Sequence, residues 1–203
     1  MRFFPLITAL ALPAIGVAQT NSVTEAVEGP FIKAFVQIQS KSYTGIAGII
    51  HPTNGVSVYY TPTSPEVKIS AADFGKIATA TKKYKFGAGE ASGIPIEITA
   101  HQFFFGDRSA VTKGAGPLPD WAKAFKTTSD FGLNRALTTA FEGPTHIPTK
   151  YAGKPYWAVR YPGTTAVNNW DFSEMRLVFD KAKVSGKNVY RLVAIVCAAP
   201  YSP

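Results

Sequence analysis

Cysteine is almost missing from this chain. Cys197 is the single one in 203 residues, so no intramolecular disulfide forms and the core must hold the fold together. It sits in the apolar run LVAIVCA and reads first as a small buried hydrophobe; an intermolecular disulfide and a reactive thiol are the alternatives. Metal ligands are scarce too. One Cys and three His (His51, His101, His146) offer no pair at zinc-binding spacing, so no metal and no cofactor is expected. There is no Gly-x-x-x-x-Gly-Lys-Ser/Thr loop for phosphates and no Gly-x-Ser-x-Gly elbow for a serine hydrolase. No Asn-x-Ser/Thr acceptor occurs, so N-glycosylation is not expected. Acidic residues are outnumbered 13 to 21, for a formal charge of +8. No stretch approaches the ~18 unbroken apolar residues that span a bilayer, so no membrane insertion is expected.

The residues that are present begin with MRFFPLITALALPAIGVA. One cation, a short apolar run and a small-residue ending are the build of a secretory leader over residues 1–18, cut between Ala18 and Gln19. A buried N-terminal helix is the alternative. Residues 19–203 are then expected to form one secreted, extracellular domain, long enough to build a core without staples. A hydrophobic share of 46% and an aromatic share of 13% indicate a globular rather than a disordered chain. The basic balance favours an anionic partner such as RNA or acidic polysaccharide; a host protein is the further alternative. The cations are spread along the chain, and Lys82-Lys83-Tyr84-Lys85 is their densest cluster. A monomer is expected.

Strand signals dominate the pattern. Residues 31–39, 45–51, 56–60, 66–70, 94–105, 155–161, 175–180 and 189–198 are apolar or alternating and rich in β-favouring residues. Pro52-Thr53-Asn54-Gly55 is a hairpin signal, and residues 184–188 (VSGKN) read as a second hairpin loop. Helices are expected over residues 70–83, opened by a Ser70 cap, 118–126 and 131–141. The whole is read as a single α+β domain: a twisted antiparallel β-sheet with two or three helices packed on one face.

Residues 144–199 carry Thr149-Lys150-Tyr151, Tyr156-Trp157 before Tyr161-Pro162, Met175-Arg176-Leu177-Val178-Phe179, and Ala194-Ile195-Val196-Cys197, in that order. This third of the chain resembles the secreted fungal ribonucleases of the N1/T1 type and the catalytically dead ribonuclease-like effectors of plant-pathogenic fungi. The resemblance implies that Arg176 takes the place of a phosphate-binding arginine. It puts Val159 or Arg160 where the general-base Glu stands and Cys197 where the general-acid His stands. RNA cleavage by that route needs both groups, and both are missing. What the resemblance leaves is a scaffold able to hold an RNA phosphate through Arg160 and Arg176, with Tyr156 or Trp157 stacking on a base.

Other residues extend the list of candidates. His146 sits in a loop between Pro144 and Pro148 and is a general-base candidate. Trp170 follows Asn168-Asn169 and is expected to be exposed, where an aromatic ring binds sugars or bases. His101 is read as a sheet residue and His51 as an exposed one. Three functions follow. The leading one is a secreted, effector-like protein of fungal type that binds an anionic partner without catalysis. The second is a ribonuclease-like enzyme using His146, Arg160 and Arg176. The third is a cell-wall carbohydrate binder using Trp157 and Trp170.

Overall fold

The computed structural model describes residues 15–61, 63–88, 93–105, 130–133, 147–160 and 174–198. Its spine is the pair β7 (Glu174–Val184) and β8 (Lys187–Ala198), joined by the two-residue turn Ser185-Gly186. Both turn residues have positive φ (49° and 78°), the conformation whose twist matches an antiparallel hairpin. On one side β7 pairs with β6 (Tyr156–Arg160), which pairs with β5 (Asp130–Leu133); on the other side β8 pairs with β1 (Val56–Tyr59), which pairs with β2 (Val67–Ile69). The sheet order is therefore β2-β1-β8-β7-β6-β5, and β3 (Lys83–Ala88) with β4 (Pro95–Thr99) forms a separate hairpin. The α+β class is as expected, but the sheet is not wholly antiparallel. β1 runs parallel to β8, matching Ser57 to Ala194 and Tyr59 to Val196. The LVAIVC run is buried throughout, as suits a central strand covered on both faces.

Helix α1 (Ile15–Gln39) overturns the strand expected over residues 31–39. Those residues are apolar at so many positions that they fit a period of two. The deciding signal starts earlier: Val27, Phe31, Ala34 and Ile38 are the buried ones, spaced four, three and four apart on one helical face. Ile32 and Val36 are left exposed. Pro30 lies inside the helix. Phe31 stacks on Trp157 of β6, with ring centroids 4.5 Å apart and planes 9° from parallel. Met175, Leu177 and Phe179 of β7, with Leu192, Ile195 and Cys197 of β8, belong to the same cluster. One sheet face is thus covered by a helix.

Three further expectations are corrected. Residues 45–51 do not form a strand: α2 (Tyr43–Ala47) comes first, and then Ile50 bridges Leu192 in parallel. His51 is 8% exposed rather than solvated, because its Nδ1 accepts hydrogen bonds from the backbone N–H of Thr53 (3.3 Å) and Asn54 (3.1 Å). The Asn-Gly turn closes on itself through His51 and Gly55; Gly55 has φ +68°, and a Cβ there would lie 2.5 Å from the Ile69 carbonyl oxygen. The helix opened by Ser70 is only α3 (Ala71–Gly75), although the Ser70 Oγ does cap it, accepting from Asp73 N at 3.0 Å.

The run over residues 94–105 changes type at Thr99 and continues as α4 (Ala100–Phe105). Thr99 N–H donates to Gln102 Oε1 (2.9 Å) and Gln102 N–H to Thr99 Oγ1 (3.2 Å), a reciprocal capping box. His101 therefore belongs to α4, where its Nε2 meets the Tyr43 hydroxyl at 3.0 Å. Residues 130–133 are the strand β5 where a helix was expected over 131–141. The rest of that helix, and the one over 118–126, lie outside the described residues.

Phe31→Ala is expected to destabilise the protein by about 3–5 kcal/mol, as for a buried aromatic ring truncated in a packed core. Urea unfolding followed by Trp fluorescence reads the loss. A change under about 1 kcal/mol means that α1 does not hold the sheet.

Candidate functional site

Of the residues singled out in the C-terminal third, Tyr156, Trp157 and Arg176 do not form one exposed patch. Tyr156 and Trp157 are neighbours on β6, so they face opposite sides of the sheet. Trp157 is on the α1 side, and its ring packs against Phe31. Its indole Nε1 has no hydrogen-bond partner among the described residues, as fits a ring used for packing. Tyr156 is on the other side, with its ring 5.8 Å from the Arg176 guanidinium carbon. Arg176 is 1% exposed, and burial pulls its pKa down to about 10. It is a core cation under an aromatic ring, not a surface hand for a phosphate. The register Ala158–Arg176 puts position 160 of β6 on the same sheet face as Arg176. Cys197 is fully buried among apolar neighbours, and desolvation pushes its thiol well above the ordinary value, so a reactive thiolate is disfavoured there. His146 and Trp170 lie outside the described residues.

The face opposite α1 carries a polar cluster that no local motif announces. A bulge at the Val178/Phe179 step of the β7–β8 ladder turns both Val193 and Ala194 to this face. They make an apolar floor with Tyr59, Val178 and Val196. A tight 3₁₀ turn, Thr149–Tyr151, is laid over it. Lys154 N–H then donates to the Tyr151 carbonyl (3.0 Å), so the chain winds on until Phe179 N–H anchors Pro155 O at 2.9 Å. This winding brings Lys150, Tyr151 and Lys154 against β1 and β2.

The buried Tyr151 hydroxyl donates to Ser57 Oγ at 2.7 Å, Ser57 donates to Glu66, and Lys150 also donates to Glu66. Lys154 pairs with Asp180 at 2.9 Å. An opening of about 310 Å³ lies beside the cluster, lined by Lys68, Lys150, Lys154, Asn54 and Asp180 among others. Desolvation raises the Glu66 pKa, but the hydrogen bonds from Lys150 and Ser57 outweigh it and the carboxyl ends below its ordinary value. Desolvation lowers Lys150, and its bond to Glu66 again reverses the sign. Tyr59 is pushed up to about 12, first by desolvation and then by Tyr151 and Glu66. Each acid here already has a lysine, and Ser57 is 2% exposed. The cluster is a polar strut that ties β1, β2 and the 3₁₀ turn together; two of the three lysines at its opening are held in ion pairs, and Lys68 is the third.

Uncompensated charge collects elsewhere. A groove of about 600 Å³ runs between α1 and the hairpin end of β8. Its helix wall is Ala26, Gly29, Pro30 and Lys33, and its sheet wall is Lys181 with residues 188–191. Positions 26, 29, 30 and 33 form a single helical stripe, small except for its lysine. Lys33 and Lys181 give the lining two cations and no carboxylate; Arg191 touches the groove but stands opposite Asp180 in the β7–β8 register, with its side chain on the other sheet face. Lys183 and Lys187 continue the charge to the hairpin tip, where both are exposed. The sequence signal was available as KAKVSGKNVYR, residues 181–191: four cations and no acid. It looked diffuse until the two-residue turn folded it in half.

Among the described residues no three His, Cys, Asp or Glu side chains converge to hold a metal, and no helix is long and apolar enough to cross a membrane. No family model matches the chain, and no curated protein or solved structure matches it either.

The Glu66–Lys150 link has a definite pH signature. A lowered carboxyl stabilises the fold above its unfolded value, and that contribution disappears as pH falls through the lowered folded value. A raised lysine stabilises below its unfolded value and is lost as pH rises through the raised one. In an NMR titration the Glu66 carboxyl is expected to have its midpoint below that of glutamate in the unfolded chain, and Lys150→Met is expected to move it upward. A midpoint indifferent to Lys150→Met refutes the link.

Proposed function

We propose that this chain is a secreted, effector-like protein that acts by binding an anionic partner, without catalysis. The single observation that carries the reading is the groove between α1 and β8, where Lys33 and Lys181 supply the charge and no carboxylate lines the walls. Opposite charges attract such a partner over about a Debye length, ~8 Å at physiological salt, and the neighbouring Lys183 and Lys187 extend the field along the hairpin. The leader-like first eighteen residues support export. The ribonuclease-like route finds little support: the position matched to its general acid is the buried Cys197, and Arg176 is enclosed under Tyr156. The carbohydrate reading needs Trp157 as an open platform, and that ring is stacked on Phe31.

The purified chain is expected to bind fluorescent polyglutamate, polyuridylate or polygalacturonate in a polarisation assay, at least one of them with affinity that falls steeply as salt rises. The double variant Lys181→Glu/Lys183→Glu is expected to lose tenfold or more of that affinity with an unchanged melting temperature. Salt-insensitive binding, or none to any of the three, defeats the reading. Cleavage of the polyuridylate by the pure protein also defeats it.

A further inference from the structure

β8 has two neighbours for only part of its length. β7 pairs with it from Lys187 to Ala198, but on the other side β1 reaches only residues 194–196 and Ile50 bridges Leu192. Residues 187–191 are therefore an open edge, about 17 Å long at strand rise. The direction of its backbone groups follows from the bonds made just beyond it. Leu192 N–H donates to Ile49 O (2.8 Å) and Leu192 O accepts from His51 N–H (2.9 Å), so the polar groups of Leu192 face away from β7. Backbone direction alternates along a strand. Tyr190 and Asn188 thus turn their N–H and C=O to the same open side. The hairpin agrees: in a two-residue turn the closing pair, here Val184–Lys187, bonds inward, which puts the inward bonds at 187, 189 and 191. The outward backbone groups of Asn188 and Tyr190 meet no backbone partner among the described residues.

That edge is one wall of the basic groove; Asn188, Val189, Tyr190 and Arg191 line it consecutively. The facing helix wall is low, and at exposed Gly29 a Cβ would meet nothing within 4 Å. Resting on the anionic-partner reading above, we infer that the groove takes an extended acidic polypeptide segment, which adds to β8 as a further strand and sets its carboxylates against Lys33 and Lys181. Two complementarities select this occupant. The unpaired amides and carbonyls match another backbone in strand conformation, and the cations match its acid side chains. A nucleic acid satisfies the second and leaves the first unused. It also finds no free ring to stack on, since Tyr190 is half-buried with the Lys181 ammonium 5.8 Å from its ring centroid.

The test uses a capped synthetic peptide of about six residues in which glutamate and valine alternate. It is prepared unmodified and N-methylated at alternate residues in either of two phases. Methylation removes the donor, so one phase blocks pairing with β8 and the other does not. The unmodified peptide is expected to bind and to slow amide exchange at Asn188 and Tyr190 tenfold or more. One methylated phase is expected to lose tenfold or more in affinity while the other keeps it. Asn188→Pro, which deletes an outward N–H where an edge strand tolerates proline, is expected to weaken binding while leaving the fold unchanged.

Equal binding of both methylated phases overturns strand addition and leaves the charge reading standing. Binding of polyuridylate with none of the peptide overturns the choice of partner. Binding of no polyanion at all overturns the charge reading beneath it, and the lysines are then guards against edge-to-edge association.

Discussion

The β7–β8 ladder is the constraint on which everything else depends. Among the described residues it is the longest pairing, closed by a two-residue turn, and the other described strands of the large sheet extend from its two edges. Local pairing of this kind forms at small loop-closure cost. The distant additions then follow: β1, more than a hundred residues earlier, docks parallel to β8, and α1 lays Val27, Phe31, Ala34 and Ile38 across one face. The composition of β8 changes where its surroundings change. KNVYR has one strand neighbour and stays polar; LVAIVC is covered on both faces and is apolar without interruption. A single strand therefore records, in its own residues, where the sheet has an open edge and where it does not.

The same ladder separates two chemistries. Its α1 face is aromatic and aliphatic, and the stack of Phe31 on Trp157 shows how a large ring from a helix is locked onto a strand. Its other face is amphipathic, and the bulge at Val193 matters there. Without the extra residue, strict alternation would turn either Val193 or Ala194 away from the 3₁₀ turn that carries Tyr151. With it, both form a floor on which the Tyr151–Ser57–Glu66–Lys150 chain of hydrogen bonds is built. That chain joins residues up to 94 positions apart and leaves no lysine of the strut free for a ligand. The basic groove, by contrast, holds Lys33 and Lys181 with no carboxylate among its described lining residues, and this contrast makes the groove rather than the polar cluster the candidate site.

Legibility in the sequence followed the range of the interactions. The three C-terminal strands, the loop between the last two, the Ser70 cap and the buried Cys197 are all set by neighbours within a few residues, and the sequence shows them. The strand-to-helix switch at Thr99 is also local: Thr99-Ala100-His101-Gln102 has the spacing of a capping box, a signal masked by the run of β-favouring residues on either side. Helix α1 was misread because Pro30 broke the window at the point where Val27 would have joined Phe31 in a helical period. The parallel β1–β8 pair and the polar strut had no local signature, since their partners lie far apart along the chain. The groove falls between these cases. Its cations are close in sequence, yet only the register across Ser185-Gly186 places Lys181 opposite Tyr190 and turns a scattered set of charges into one wall.

The position of α1 also bears on export. The helix begins at Ile15 and runs through the expected cut after Ala18, which places leader and body in a single element. Yet the described core contacts of α1 start at Val27, and its groove wall starts at Ala26. Removal of residues 1–18 takes away none of these. The helix that remains from Gln19 spans two turns before Val27, enough for hydrogen bonding to be established ahead of that contact. Pro30 removes one backbone hydrogen bond from that helix, at a cost of about 3 kcal/mol, which the burial of Val27 and Phe31 on either side offsets. A cut after Ala18 is therefore compatible with the described packing of α1, and the groove lies wholly in residues 19–203.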